Sequence, residues 1–213
     1  MRVIAGSAGG RPLVAPSSDR TSIRPTGDKV KGAIFSMLEA EALRRGFDIE
    51  PGDEEQDGKF AAAVAWPRVL DLYAGSGALA IEALSRGAAH ADLVDSSPDA
   101  RRAISANLAR TGLNDRATVH ALSSEKAVST LRGPYDLIVL DPPYDAEGVW
   151  LVVQQVVSSG LLAPTGVLIW EHSQKTEPPD HIGEPTSKIG LQLLRTRRHG
   201  AASVSLYASD VTA

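Results

Sequence analysis

Few stretches narrow the folds open to a chain as far as Val69-Leu70-Asp71-Leu72-Tyr73-Ala74-Gly75-Ser76-Gly77-Ala78-Leu79-Ala80. An apolar run broken by one acid ends in Gly-x-Gly and restarts with helix formers, which reads as strand, tight turn and helix. Gly75 and Gly77 can take positive φ and, lacking Cβ, let a ligand approach the backbone. The N-terminus of the following helix adds unpaired N–H groups. The result is a cradle for a nucleotide-like cofactor. Gly75-x-Gly77-x-x-Ala80 also fits a dinucleotide-binding turn, so the stretch alone leaves the cofactor open.

The surrounding pattern sets the fold. Strands are expected at 68–72, 91–95, 117–121, 135–141 and 166–170, and helices at 78–86, 98–110, 124–131 and 148–158. Strands that alternate with helices predict an α/β fold, doubly wound, with a mostly parallel sheet covered on both faces. The rhythm breaks near the C-terminus. There Leu191-Gln192-Leu193-Leu194 and Val204-Ser205-Leu206-Tyr207 flank Arg195 to Ala202 with no room for a crossover helix, so a C-terminal antiparallel hairpin is expected.

Ahead of the alternation, Arg2 to Ala5 and Arg11 to Ala15 surround Gly6-Ser7-Ala8-Gly9-Gly10, which predicts a small N-terminal β-hairpin extension over residues 1–22. Residues 23–213 form the main domain. Thr26 or Asp28 is placed to cap a helix running to about Arg45, with Val30, Ala33, Ile34, Met37 and Leu38 on one face. A loop at about 46–65 carries Asp53, Glu54, Glu55 and Asp57 and reads as a solvated surface segment.

Composition removes several classes. With no cysteine among 213 residues, disulfides, thiolate metal sites and a cysteine nucleophile are excluded. His172 and His199 lack partner spacings for a metal or a triad, so no metal is expected. No apolar run approaches the roughly 20 residues of a membrane span, and the N-terminus lacks a signal peptide's apolar region, so a soluble cytoplasmic protein is expected; a monomer is expected as well. The net charge of -4 argues against nucleic acid. Its distribution argues for it: residues 1–31 balance to +4, and Lys188, Arg195, Arg197 and Arg198 stand with no acid between Pro185 and Ser209. Two solvated faces or one phosphate-binding surface would both produce that pattern.

Ligands of an open parallel sheet lie at the carboxyl ends of its strands. Three such ends carry chemistry here. The first is the Gly75-Ser76-Gly77 turn, preceded by Asp71. The second is Asp95, placed to accept hydrogen bonds from ribose hydroxyls. The third is Asp141-Pro142-Pro143-Tyr144, where two prolines lock the backbone as an acid and an aromatic leave the strand. A planar ring could stack on Tyr144 while its exocyclic amine donates to Asp141 and the Pro142 carbonyl, with its lone pair turned towards the cradle. If the cradle holds a methyl sulfonium, that arrangement is poised for methyl transfer.

The order Arg24-Pro25-Thr26, Asp71-x-x-x-Gly75-Ser76-Gly77, Asp95, Asp141-Pro142-Pro143-Tyr144 and a terminal hairpin resembles the class I S-adenosylmethionine-dependent methyltransferases that act on exocyclic amines. More closely, it is similar to the bacterial 16S ribosomal RNA guanine-N2 methyltransferases of the RsmD type. That resemblance implies a Rossmann-like, seven-stranded sheet, S-adenosylmethionine as cofactor, and ribosomal RNA or a partly assembled small subunit as partner. Gly75, Ser76 and Gly77 would line the methionine and adenosine, with Asp71 beneath the amino-acid part and Asp95, beside Ser96, on the ribose. Arg24, Pro25 and Thr26 would close the methionine end, while Asp141, Pro142 and Tyr144 hold the guanine. Related enzymes have an acid or amide on the adenine after the third strand; here Ser123 or Ser124 would take that place. Arg2, Arg11, Arg20, Lys29, Arg197 and Arg198 would grip flanking phosphates.

Three other functions use parts of the same sequence. Adenine-N6 methylation of DNA or RNA shares Asp-Pro-Pro-Tyr, and an NAD-linked oxidoreductase shares the glycine turn and Asp95. A non-catalytic RNA-binding module would leave Asp141-Pro142-Pro143-Tyr144 unused.

Overall fold

A computed structural model describes residues 1–17, 27–47, 65–143, 146–183 and 190–209. Arg20, Arg24, Pro25, Thr26, Tyr144, most of the acidic loop and the expected boundary at residue 22 lie outside the described residues.

Five parallel strands make the centre of one sheet: β1 (Arg68–Leu72), β2 (His90–Val94), β3 (Ala117–His120), β4 (Tyr135–Leu140) and β5 (Leu162–Ser173). Three more extend it in antiparallel pairs: β6 (His181–Ile182), β7 (Leu191–His199) and β8 (Ala202–Ala208). Their order is β3-β2-β1-β4-β5-β8-β7-β6. The chain winds outward from β1 to β3, then returns to place β4 on the other side of β1. That reversal puts the ligand-binding crevice above β1 and β4.

Alternating side chains fill two cores. On one face α1 (Asp28–Arg44), α2 (Ala78–Ser85) and α3 (Pro98–Thr111) pack against Val69, Leu93, Leu137, Val167 and Leu206. On the other, α4 (Ser124–Thr130) and α5 (Val149–Ser158) pack against Leu70, Leu72, Ile138, Leu168 and Trp170. Helix α3 shows the local logic: Ser97 caps the Ala100 N–H, Pro98 starts the first turn, and Gly112 ends the helix at φ +69°. Its buried stripe of Ala100, Ala103, Ile104, Asn107, Leu108 and Thr111 follows helical spacing.

The described sheet has eight strands where the resemblance implied seven. The addition is the two-residue β6, too short to leave an alternation in the sequence. The C-terminal hairpin is also longer than expected, so Arg195, Arg197 and Arg198 lie within β7 and only Gly200 and Ala201 turn the chain. Among the described residues, partners of β6 on β7 end at Gln192 and the arginines lie on an uncovered edge, where charge discourages pairing with another strand.

The N-terminal segment forms a single antiparallel bridge, Arg2 to Pro12, rather than two strands. The Leu13 N–H on the Met1 carbonyl (3.1 Å) and the Val3 N–H on the Arg11 carbonyl (2.9 Å) make the bridge, and the ladder stops there because the Arg11 N–H turns to the Ala8 carbonyl (3.2 Å) within the glycine-rich turn. What secures the segment is α2. Glu82 is fully buried and accepts hydrogen bonds from the N–H groups of Ile4 (2.7 Å) and Ala5 (3.0 Å) while pairing with Lys31 (3.2 Å) and Arg86 (2.7 Å). Lys31 is likewise fully buried and donates to the Arg2 carbonyl. It therefore adds nothing to the exposed positive charge of the N-terminus.

Candidate active site

The ends of β2, β1 and β4 are held flush. Leu72 is in register with Val94 on one side and Leu140 on the other, so Asp95, Tyr73 and Asp141 each stand one residue beyond the sheet. Cross-strand bonds continue past the ends: the Ala74 N–H donates to the Val94 carbonyl (3.0 Å) and the Asp141 N–H to the Leu72 carbonyl (3.5 Å). Strand spacing then places the two acids within about 10 Å of each other, on either side of the β1 turn.

That turn has three residues at positive φ: Tyr73 (+63°), Gly75 (+56°) and Gly77 (+75°). The two glycines do different work. A Cβ on Gly75 would meet only the Tyr73 carbonyl at 3.9 Å, so this position opens onto free space. A Cβ on Gly77 would come within 3.0 Å of Leu93 and 3.3 Å of Ile104, so Gly77 allows close packing of the turn on the core rather than approach of a ligand. Tyr73 carries a side chain in a conformation that suits glycine, and its ring leans towards Ser124 at the start of α4. Ser124 is buried; its neighbour Ser123 caps α4 through the Lys126 N–H (3.3 Å).

Asp95 fastens the turn. Its two carboxylate oxygens accept from the Gly75 N–H and the Ser97 N–H, each at 2.8 Å, and a carboxylate retains further lone pairs for another donor. The exposed Ser96 gives its carbonyl to Arg101 (2.7 Å). Beneath the turn, Asn107 is fully buried and donates to the Ser76 carbonyl (2.9 Å) and the Val14 carbonyl (2.9 Å), while accepting from the Val14 N–H (2.8 Å). One side chain thus ties the glycine turn to the N-terminal segment. Its signal in the sequence is a lone polar residue in the apolar stripe of α3.

Asp71 is 1 % exposed. One carboxylate oxygen accepts from the Ala80 N–H (3.1 Å), and the other has no hydrogen-bond partner among the described residues. Burial pushes its pKa up to about 8 against the pull of the Ala80 N–H, and the charges of Asp141 and Asp95 add to the rise. Three acids around one turn, one of them short of a donor, fit a positively charged ligand. Without such a ligand the folded chain keeps a proton on Asp71 that the unfolded chain releases near pH 4, so stability falls as pH rises from about 4 to 8. The slope from this group reaches at most about 1.4 kcal/mol per pH unit. Urea unfolding between pH 5 and 8 should show this loss in the wild type, and Asp71→Asn should flatten it.

Beside Asp141, a cavity of about 540 Å³ is lined by Pro142, Pro143, Trp150, Trp170 and His172, among others. Pro142 is buried and Pro143 half-buried, so the bend is fixed by packing as well as by its rings.

The family model described as "Conserved hypothetical protein 95" matches residues 1–208. This chain belongs to that family. YlbH of Bacillus subtilis is 33% identical over 97% of this chain and 98% of its own length. Ribosomal RNA small subunit methyltransferase D of Escherichia coli is 27% identical over 99% of this chain and 90% of its own. Among solved structures, Escherichia coli yhhF superposes with a TM-score of 0.72 at 25% identity, covering 98% of this chain and 97% of that one.

Within this Conserved hypothetical protein 95 member, Asp71, Gly75, Ser76, Gly77, Asp95, Ser96, Asp141 and Pro142 gather at the ends of β1, β2 and β4. The basic residues do not all join them. Arg197 and Arg198 are exposed near the β7–β8 turn, which β8 brings level with Ser173 at the site end of β5. Met1 lies against Ser76 (Sδ to Oγ 3.6 Å), and exposed Arg2 pairs with Asp28 (4.0 Å) beside exposed Lys29. Arg11 instead donates to the Arg110 carbonyl (3.1 Å) in the last turn of α3, at the opposite end of that helix from Asp95.

Proposed function

We propose that this chain transfers the methyl group of S-adenosylmethionine to the exocyclic N2 amine of a guanine in small-subunit ribosomal RNA, free or partly assembled. The observation that carries this reading is the flush placement of the glycine turn and the Asp141-Pro142 bend on adjacent strands. The likeness over the whole chain to Ribosomal RNA small subunit methyltransferase D of Escherichia coli supports the substrate. No described helix is long and apolar enough to cross a membrane, and we take the chain as a cytoplasmic monomer.

When bound, S-adenosylmethionine supplies a methyl group on a positively charged sulfur. Gly75 and Ser76 would line it, Asp71 would balance its charge, Asp95 would use its remaining lone pairs on the ribose, and Ser96 and Ser124 would border the adenosine. Arg24, Pro25 and Thr26 would close the methionine end. Asp141 and the Pro142 carbonyl would accept the two N–H groups of the guanine amine, turning its lone pair towards the glycine turn. Tyr144 would stack on the base, and the Asp141 carboxylate would take up the proton the amine sheds. Guanine N2 is out of reach within a stacked helix, so the base must be flipped or already unpaired.

Titration with S-adenosylhomocysteine and with NAD tests the cofactor: saturable binding of the first alone is expected, and binding of NAD alone would favour an oxidoreductase. RNA affinity should fall as salt rises. Replacing both Arg197 and Arg198 with alanine should reduce the slope of log affinity against log salt by about 1 to 2, measured by filter binding. An unchanged slope would remove β7 from the RNA surface.

A further inference from the structure

We propose that the cavity beside the Asp141-Pro142-Pro143 bend holds a second nucleobase of the RNA, the neighbour of the target guanine, stacked on Trp150. This rests on the function proposed above. At about 540 Å³ the cavity is of the size that encloses a whole small ligand. Neither Asp141 nor any residue of the glycine turn lines it. Among the described residues, a guanine whose amine is held at Asp141 therefore meets the cavity along its Pro142 and Pro143 edge. The aromatic end, between the start of α5 and the end of β5, is left for the next base.

The walls there suit a flat, neutral ring. Trp150 is 40 % exposed, with its ring centroid 6.0 Å from that of Trp170, which lies 4.8 Å from His172. His172 is held uncharged: its Nδ1–H donates to the Ser173 carbonyl (3.0 Å), its Nε2 accepts from the Ser205 hydroxyl (2.9 Å), and burial lowers its pKa. Among the described aromatic residues of the cavity, Trp150 has surface to spare, and every base offers a face to stack on it.

The charge around the cavity orients the nucleotide. His172 is in register with Ser203 on β8, and Ser203 with Arg198 on β7, so Arg198 stands on the same face of the sheet, two strand spacings or roughly 10 Å away. Exposed Glu177 lines the cavity itself and repels a phosphate. The base accordingly stacks on the open face of Trp150, with its phosphate towards Arg198.

The test uses small-subunit RNA whose methylated guanine has been mapped with the wild-type enzyme. Ultraviolet cross-linking followed by peptide mass spectrometry should find, on the peptide containing Trp150, the nucleotide immediately next to that guanine. Trp150→Ala should raise KM for RNA by about 10- to 100-fold, and Trp150→Phe should restore most of the loss. Affinity for S-adenosylhomocysteine and the Tm should stay at wild-type values in both variants. A cross-link from Trp150 to the methylated guanine itself, RNA cross-links elsewhere but none at Trp150, or a wild-type KM in Trp150→Ala would each overturn this inference alone. A wild-type enzyme that methylates no RNA would overturn the proposed function and this inference together.

Discussion

Replacing Asp141 with alanine should lower kcat for methyl transfer by about 10²- to 10⁴-fold, equivalent to roughly 3 to 5 kcal/mol of barrier. Two contributions disappear together in this variant. The amine loses the acceptor that fixes its orientation, and the proton it sheds loses its nearest base. Pro142 and Pro143 keep the bend in place, so the defect should lie in kcat more than in KM for RNA. Binding of S-adenosylhomocysteine should change by less than about threefold, because the acid that fastens the glycine turn is Asp95, which stands across β1 from Asp141. Single-turnover transfer of labelled methyl groups measures the effect. Full activity in Asp141→Ala would remove the carboxylate from the mechanism and favour a binding module with an idle motif.

Glu82→Ala should destabilise the fold by about 3 to 5 kcal/mol, because it strands the fully buried Lys31 without its carboxylate. The Ile4 and Ala5 N–H groups lose their acceptor in the same step. Arg86 suffers less, since Glu39 (2.9 Å) and the face of Phe35 still receive it. At about 2 to 4 °C per kcal/mol for a chain of this size, the Tm should drop by roughly 10 °C. Glu82→Leu combined with Lys31→Met should recover part of the loss by removing both charges, while the two backbone donors stay unpaired. A Tm within about 2 °C of wild type in Glu82→Ala would show that the N-terminal segment is secured by other contacts. Because Met1 and Val14 of that segment reach the glycine turn and Asn107, its loosening should also weaken cofactor binding.

The parallel half of this fold was legible in the sequence because each strand is a short apolar run with punctuation at both ends. Strands β1, β2, β3 and β4 fall within a residue of the positions expected from Arg68, Ala91, Ala117 and Tyr135. Features that depend on distant partners were not. Lys31 reads as one more surface cation until Glu82, far along the chain, is folded against it. The N-terminal segment reads as two strands, but the Arg11 N–H turns to the Ala8 carbonyl and the pairing stops after one bridge, which the strand pattern alone does not show. Arginines in Arg195–Arg198 read as a loop because an edge strand needs no apolar alternation.

The site followed the same division. Asp71, Asp95 and Asp141 were visible as acids at strand ends, where the topology of a doubly wound sheet brings them together. Gly77 was assigned to ligand approach, yet the atoms nearest its missing Cβ are Leu93 and Ile104 of the core. Asn107, Trp150 and Trp170 went unmarked. Asn107 fills a place in the buried stripe of α3 and Trp170 one in the buried run of β5, while Trp150 stands in the apolar start of α5, so only packing shows what each touches.

Nucleoside analysis of small-subunit ribosomal RNA after incubation with the protein and labelled S-adenosylmethionine tests the central claim most directly, with DNA run alongside. N2-methylguanine in the RNA and no label in the DNA is the result this account predicts; N6-methyladenine in either polymer would contradict it.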